Sequence, residues 1–244
     1  WVCLLWCVCM SDAVSVEFGA CRQPELGLPE INTVAILYRH ADFVAVSKPA
    51  GVSVQQEADA VAFLPALAAQ LGVPRLWLVH RLDKVTSGVL LLALNAAAAS
   101  TLAQMFAAGQ MHKTYWAVAA GKPIKKQGWV IGDMAKARRG AWKLLRSCHN
   151  PARTRFDSVS LEAGLRFYRL WPQSGKTHQL RVAMKSLGCP ILGDVLYGGA
   201  AAARVFLHAQ RLVFVYQGEQ MDIRADAPPP WPAAWVEAAA GEDT

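Results

Sequence analysis

From residue 34 onward, apolar and polar positions alternate in short blocks that predict a mixed succession of strands and helices. Val34-Ala35-Ile36-Leu37-Tyr38 and Phe43-Val44-Ala45-Val46 are apolar, partly β-branched runs separated by the polar break Arg39-His40-Ala41-Asp42, which predicts a β-hairpin over 34–48. Lys48-Pro49-Ala50-Gly51 ends it. Leu64, Leu67, Ala68 and Leu71 recur at helical spacing and predict a helix over 61–71, with Gly72 at its C′ position. Gly88 to Leu94 is a continuous apolar run, the pattern of a buried strand. Asn95 is placed to cap a helix over 96–108 that Gly109 closes. Tyr115 to Ala120 predicts a further strand, and 154–160 with 165–171 a second hairpin across Glu162-Ala163-Gly164. Residues 177–187 suit a helix ended by Gly188 and Pro190, and 204–216 and 220–224 late strands. Hairpins mixed with single helices predict an α+β fold, not an alternating βαβ array.

Composition narrows the class. The 244 residues are 54% hydrophobic and 18% charged, which excludes a disordered chain. No apolar run reaches the length of a membrane span. The six cysteines, Cys3, Cys7, Cys9, Cys21, Cys148 and Cys189, are unevenly spread and form no CxxC pair, so reduced thiols in a cytoplasmic protein are expected, with no structural zinc. The stretch from Trp1 to Cys9 is apolar and lacks the basic lead of a signal peptide; Met10 is the expected native start, the alternative being a genuine but peripheral segment.

A net charge of +7 admits nucleic acid or an anionic surface as partner. Its distribution is sharper than its size. From Lys113 to Arg155 the chain carries Lys113, Lys122, Lys125, Lys126, Lys136, Lys143, Arg138, Arg139, Arg146, Arg153 and Arg155 against a single acid, Asp133. Trp129 and Trp142 are interleaved. Cations with aromatics between them suit a phosphate-contacting surface; the alternative is a solvated loop.

The chemistry concentrates in His80-Arg81-Leu82-Asp83-Lys84-Val85-Thr86-Ser87-Gly88, a polar string running into the apolar strand. Polar groups on a loop braced by a rigid sheet are a common site arrangement. The same residues could serve only as loop caps, with the Asp83 side chain accepting from the backbone near residues 85–86.

This string resembles the signature of the RluA-type pseudouridine synthases, His-Arg-Leu-Asp-x-x-Thr-Ser-Gly followed by an aliphatic strand. Further matches follow in order. Lys48-Pro49-Ala50-Gly51 resembles the family's first motif, Lys113-Thr114-Tyr115 its Lys-x-Tyr motif, and Ala152 to Phe156 its Ala-x-Thr-x-Phe strand. Ser174 to Arg181 is similar to its Thr-Gly-Arg-Thr-His-Gln-Leu-Arg motif; Pro190 to Asp194, Tyr197-Gly198 and Leu207-His208-Ala209 match its closing pattern. Ser174 and Lys176 depart conservatively, and Ala183 stands where a His is frequent.

The resemblance spans about residues 34–230. It implies a mixed, mainly antiparallel sheet flanked by helices and loops around a central active-site cleft. It also implies a catalytic domain over 31–230, between a peripheral extension (1–30) and a C-terminal tail (231–244). Too few residues precede Ile36 for the S4-type RNA-binding domain of many relatives, so the chain is similar to the short forms acting on rRNA or tRNA. The implied activity is isomerisation of uridine to pseudouridine by a cytoplasmic, cofactor-free, metal-free monomer.

By the same resemblance Asp83 matches the catalytic carboxylate, Arg181 its basic partner, and Tyr115 the ring that stacks on uracil. Arg81 matches the residue that fills the space left by the flipped base. Leu180 is expected against the base, His80 just behind it, and Lys176, Lys113, Lys125, Lys126, Arg138 and Arg139 on RNA. Gly88 and Gly175 are expected in turns, and His178 as a structural histidine. A non-catalytic RNA-binding module or chaperone is the competing class, although binding alone requires none of Asp83, Tyr115 and Arg181. The six histidines show no metal-ligand pairing, which disfavours a metal-dependent hydrolase.

Overall fold

A computed structural model describes residues 34–54, 60–162 and 164–240. The elements in chain order are β1 (Ile36–Arg39), β2 (Phe43–Lys48), α1 (Ala60–Leu71), β3 (Trp77–Leu78), β4 (Ser87–Ala93), α2 (Ala96–Ala107), β5 (His112–Ala120), β6 (Gly128–Gly132), β7 (Met134–Lys136), β8 (Trp142–Leu144), β9 (Ala152–Ser160), β10 (Leu165–Pro172), α3 (Gln179–Ser186), β11 (Leu207–Tyr216), β12 (Glu219–Arg224) and α4 (Ala233–Ala240). The expected N-terminal extension lies outside the described residues.

One large sheet runs β1-β2-β4-β11-β5-β10-β9-β6, with β12 added to β11 and β3 to β4. Every pairing in it is antiparallel except β4 with β11, where Ser87 faces His208 and Gly88 faces Ala209. The α+β class with a mainly antiparallel sheet therefore holds. β7 and β8 form a separate hairpin.

β4 is buried along its whole length because both of its faces are covered. Leu90 and Leu92 pack with Phe63, Leu67 and Leu71 of α1, while Val89, Leu91 and Ala93 pack with Ala98 and Leu102 of α2. Further across the sheet, Ala117, Phe156, Tyr168 and Leu170 pack against Leu180, Ala183 and Met184 of α3. On the opposite face Val118, Phe167 and Phe206 enclose Trp231. The tail expected from residue 231 is thus anchored at its first residue, since Trp231 is 7% exposed.

Local signals act as their chemistry requires. Asn95 Oδ1 accepts from Ala98 N at 2.8 Å and caps α2, satisfying one of its otherwise orphaned amides. Gly88, expected in a turn, instead opens β4 with φ of +112°. A Cβ there would lie 2.1 Å from the carbonyl oxygen of Ala209, so only glycine lets the two strands meet.

Candidate active site

The loop 79–86 is fixed at both ends before it presents Asp83. Val79, Leu82 and Thr86 are buried, and Asp83 C=O accepts from Thr86 N at 3.0 Å, closing a tight turn. The Asp83 side chain caps nothing: its carboxylate accepts no hydrogen bond among the described residues. Instead its Oδ2 lies 3.7 Å from Nη1 of Arg181, with 27% of the side chain open to solvent.

Arg181 is itself held by Asp194. Its Nε donates to Oδ2 at 2.7 Å and its Nη2 to Oδ1 at 2.8 Å, in a bidentate pair with Asp194 1% exposed. The guanidinium also sits over the Tyr197 ring, 4.9 Å from its centroid. Burial opposes the charge on Arg181, but Asp194 and Asp83 more than offset it, and its pKa is raised. The Tyr197 hydroxyl accepts from Trp142 N of β8 at 3.0 Å and meets Nδ1 of His178 at 2.8 Å. His178 is the left-handed N-cap of α3, with φ of 56°, and is also one of the residues lining the cleft beside Asp83.

Lys48 belongs to the Lys-Pro-x-Gly motif, but sequence reasoning gives it no role. It is fully buried beneath the site. Its Nζ donates to the carbonyls of Pro49 at 2.7 Å, Val52 at 2.8 Å and Lys84 at 3.4 Å. Gly51 N donates to the same Lys84 carbonyl at 2.8 Å. The Lys-Pro-x-Gly turn is thereby tied to the residue after Asp83. Burial pushes the ammonium down to about 7, with Asp83 acting in the other direction.

Asp83 borders a cleft of about 560 Å³ whose walls also include His80, Arg81, Lys113, Tyr115, Lys176 and Leu180. Burial, and after it the charge of Asp83, raises the Tyr115 phenol, keeping it protonated. Lys113 reaches the Ser174 carbonyl at 3.5 Å, and burial lowers its pKa. Lys176 donates to Asn150 Oδ1 at 2.9 Å, and Arg81 Nη2 lies 3.4 Å from Thr177 Oγ1 on the exposed rim.

Buried Gln179 carries the loop that holds Lys176. Its Oε1 accepts from Ser174 Oγ and Lys176 N, while its Nε2 donates to Arg153 O and Thr154 Oγ1 of β9. His80 is fixed in the wall: Nε2 accepts from Leu91 N at 2.9 Å and the ring stacks on Phe106, so it is neutral, held down to about 3 by burial.

Not every residue expected on RNA joins them. Lys125 and Lys126 are exposed between β5 and β6, and Arg138 and Arg139 are exposed at the tip of the β7–β8 hairpin, outside the cleft wall. Asp194, Tyr197 and Gln179 escape sequence reasoning as working parts; their only signal is position within the family-like motifs.

The model of the family "RNA pseudouridylate synthase" matches residues 42–186, which carry Lys48, Asp83, Tyr115 and Arg181. This chain belongs to that family. It is 54% identical over 185 residues to an uncharacterized RNA pseudouridine synthase of Haemophilus influenzae, covering 75% of this chain and 83% of the relative. It is 33% identical to the ribosomal large subunit pseudouridine synthase C of Rickettsia bellii, covering 82% and 70%. Among solved structures, human RNA pseudouridylate synthase domain containing 1 superposes with a TM-score of 0.70 at 28% identity, covering 84% and 89%. Membership carries the reaction class with it: the chain is an isomerase that makes pseudouridine from uridine in RNA. No helix among the described residues is long and apolar enough to cross a membrane.

Proposed function

We propose that the chain isomerises uridine in structured rRNA or tRNA in the cytoplasm, with Asp83 as the catalytic carboxylate. The observation that carries this reading is the pairing of a partly open Asp83 with buried Arg181 at 3.7 Å, in a cleft shared with the Tyr115 ring. The resemblance to an enzyme named for the ribosomal large subunit favours rRNA of the two.

The reaction breaks the N1–C1′ bond, turns the uracil and rejoins it through C5. No atoms or electrons are gained overall, so a single carboxylate suffices where glycosidases need two. Arg181 aims Asp83. Asp83 attacks the sugar or the base, or removes a 2′ proton. Tyr115, protonated and enclosed, supports the uracil as a ring and not as a ready phenolate; Leu180 closes the pocket against water. Taking the target base out of its stack costs a few kcal/mol, which Arg81 at the rim offsets by stacking where the base was.

The test is Asp83→Asn assayed by tritium release from RNA carrying C5-labelled uridine. The amide keeps the shape and loses the charge, so turnover should fall at least about 100-fold while RNA affinity stays within a few-fold. Retained turnover would remove Asp83 from this role. A wild-type protein that binds RNA and releases no tritium would be an RNA-binding module.

A further inference from the structure

A second cleft, also about 560 Å³, is lined among others by Thr114, Trp129, Arg155, Trp171 and Arg211. Tyr115, Phe156 and Leu170 pack on the side shared with α3, so Thr114, Arg155 and Trp171 beside them point the other way. There they align across the strands. Trp171 is in register with Arg155, Arg155 with Trp129, and Arg211 with Thr114. Trp129 is 46% exposed. The Arg155 guanidinium lies 5.1 Å from the Trp171 ring centroid and that of Arg153 5.8 Å from that of Trp129. Neither Arg153 nor Arg155 is paired with a carboxylate among the described residues.

Indoles alternating with unneutralised guanidiniums suit one ligand chemistry above others. A strand of unpaired nucleotides stacks its bases on the rings and gives its phosphates to the cations, whereas an apolar protein patch would leave the cations unanswered. Trp129 and Trp171 are two strand spacings apart, roughly 10 Å, a span for neighbouring bases of one strand. The two clefts share Gly109, Lys113, Pro172 and Gln173 as a common rim, so a chain leaving the Asp83 cleft passes directly onto this row.

We propose that this face binds single-stranded RNA flanking the target uridine, with Trp129 and Trp171 as base-stacking platforms and Arg153 and Arg155 as phosphate ligands. It deepens the RNA reading of the Asp83 cleft and rests on it for the partner, but not on the chemistry there.

The probe is a labelled oligocytidylate of about eight nucleotides, which contains no uracil and so binds independently of isomerisation. Measured by fluorescence anisotropy, Trp129→Ala should weaken its binding about 5-fold or more, the lower end for removal of one base–aromatic stack. Trp129→Phe should retain most of the affinity, and adding Arg155→Ala should weaken it further. Photocrosslinking of the unsubstituted protein to an oligomer carrying 5-iodocytidine should give adducts at Trp129 or Trp171. Adducts confined to the Asp83 cleft would overturn the proposal. So would equal affinity for wild type and Trp129→Ala, which would assign the face to a protein partner. Trp129-dependent binding in a protein that releases no tritium from any RNA would sink the isomerase reading and leave this one standing.

Discussion

Arg181 gives two of its nitrogens to Asp194, at 2.7 and 2.8 Å, and only the third to Asp83, at 3.7 Å. The buried carboxylate fixes the guanidinium; the partly open one meets only its remaining nitrogen. Asp194→Asn removes the fixing charge. Arg181 should then close on Asp83, and turnover should fall about tenfold or more with RNA affinity little changed. Losing one partner of a buried pair should also cost roughly 3 kcal/mol of stability. Comparing kcat with RNA Kd for this variant, alongside its urea midpoint, checks the arrangement; normal turnover in a folded variant would refute it.

Lys48→Met should act on the same carboxylate from below. The apolar chain fits the space but takes the Lys48 donor from the carbonyls of Pro49 and Val52, at about 1–3 kcal/mol for each one left unsatisfied, while the Lys84 carbonyl keeps Gly51 N. The loop bearing Asp83 loosens, so kcat should drop more than RNA binding. Single-turnover rates at saturating RNA, set beside thermal melting, separate the two effects.

Two enclosed histidines set the acid limit. His80 is held down to about 3 and His208 to about 4, both by burial. His208 donates through Nε2 to the Ala225 carbonyl at 2.9 Å, which leaves Nδ1 to accept from Ser87 Oγ at 2.8 Å. The unfolded chain protonates both near 6.5, the folded chain only below 4, so the unfolded state binds more protons in between. The histidine contribution should therefore be flat above about pH 6.5 and fall between about 6.5 and 4, by on the order of 2–3 kcal/mol per histidine. Urea midpoints across this window measure it. His80→Gln keeps an acceptor for Leu91 N and should remove one share of the slope.

The exposed cations outside the cleft should matter for holding RNA and not for chemistry. Replacing Lys125, Lys126, Arg138 and Arg139 with Ala should flatten the dependence of log affinity on log salt, by about 0.7 for each phosphate of single-stranded RNA that the variant no longer neutralises. Turnover at saturating RNA should survive. Parallel salt titrations for wild type and variant decide the matter, and equal slopes would make these residues a solvated surface only.

Most elements were legible because each carried a local signal that tertiary packing then reinforced. Asn95 and Gly109 bracket α2 where capping chemistry puts them, and the unbroken apolar run after Ser87 announced a strand covered on both faces. The strands β6, β7 and β8 were not legible. β6 follows the lysine-rich Lys122 to Lys126 and reads Gly-Trp-Val-Ile-Gly, with apolar Trp129 and Ile131 on its solvent side, so no alternation of apolar with polar positions marks it. Asp83, Tyr115 and Arg181 could be placed from motif order; Asp83 and Tyr115 line one cleft, and Arg181 lies behind it, 3.7 Å from Asp83. The partners that hold them could not. Lys48, Asp194 and Gln179 work through burial and through bonds to residues far away in the chain, and nothing in their immediate neighbours specifies that.

The parallel junction between β4 and β11 has a bearing on how the protein comes to be folded. β4 can zip onto β2 as soon as residues up to Ala93 are available, but its other flank at Ser87 and Gly88 waits for His208 and Ala209. Closing so long a loop is entropically costly and favours slow, late assembly. Until β11 arrives, the segment bearing Asp83 and the segment bearing Tyr115 belong to two unjoined halves of the sheet. During synthesis the Asp83 cleft accordingly becomes competent only after β11 has emerged.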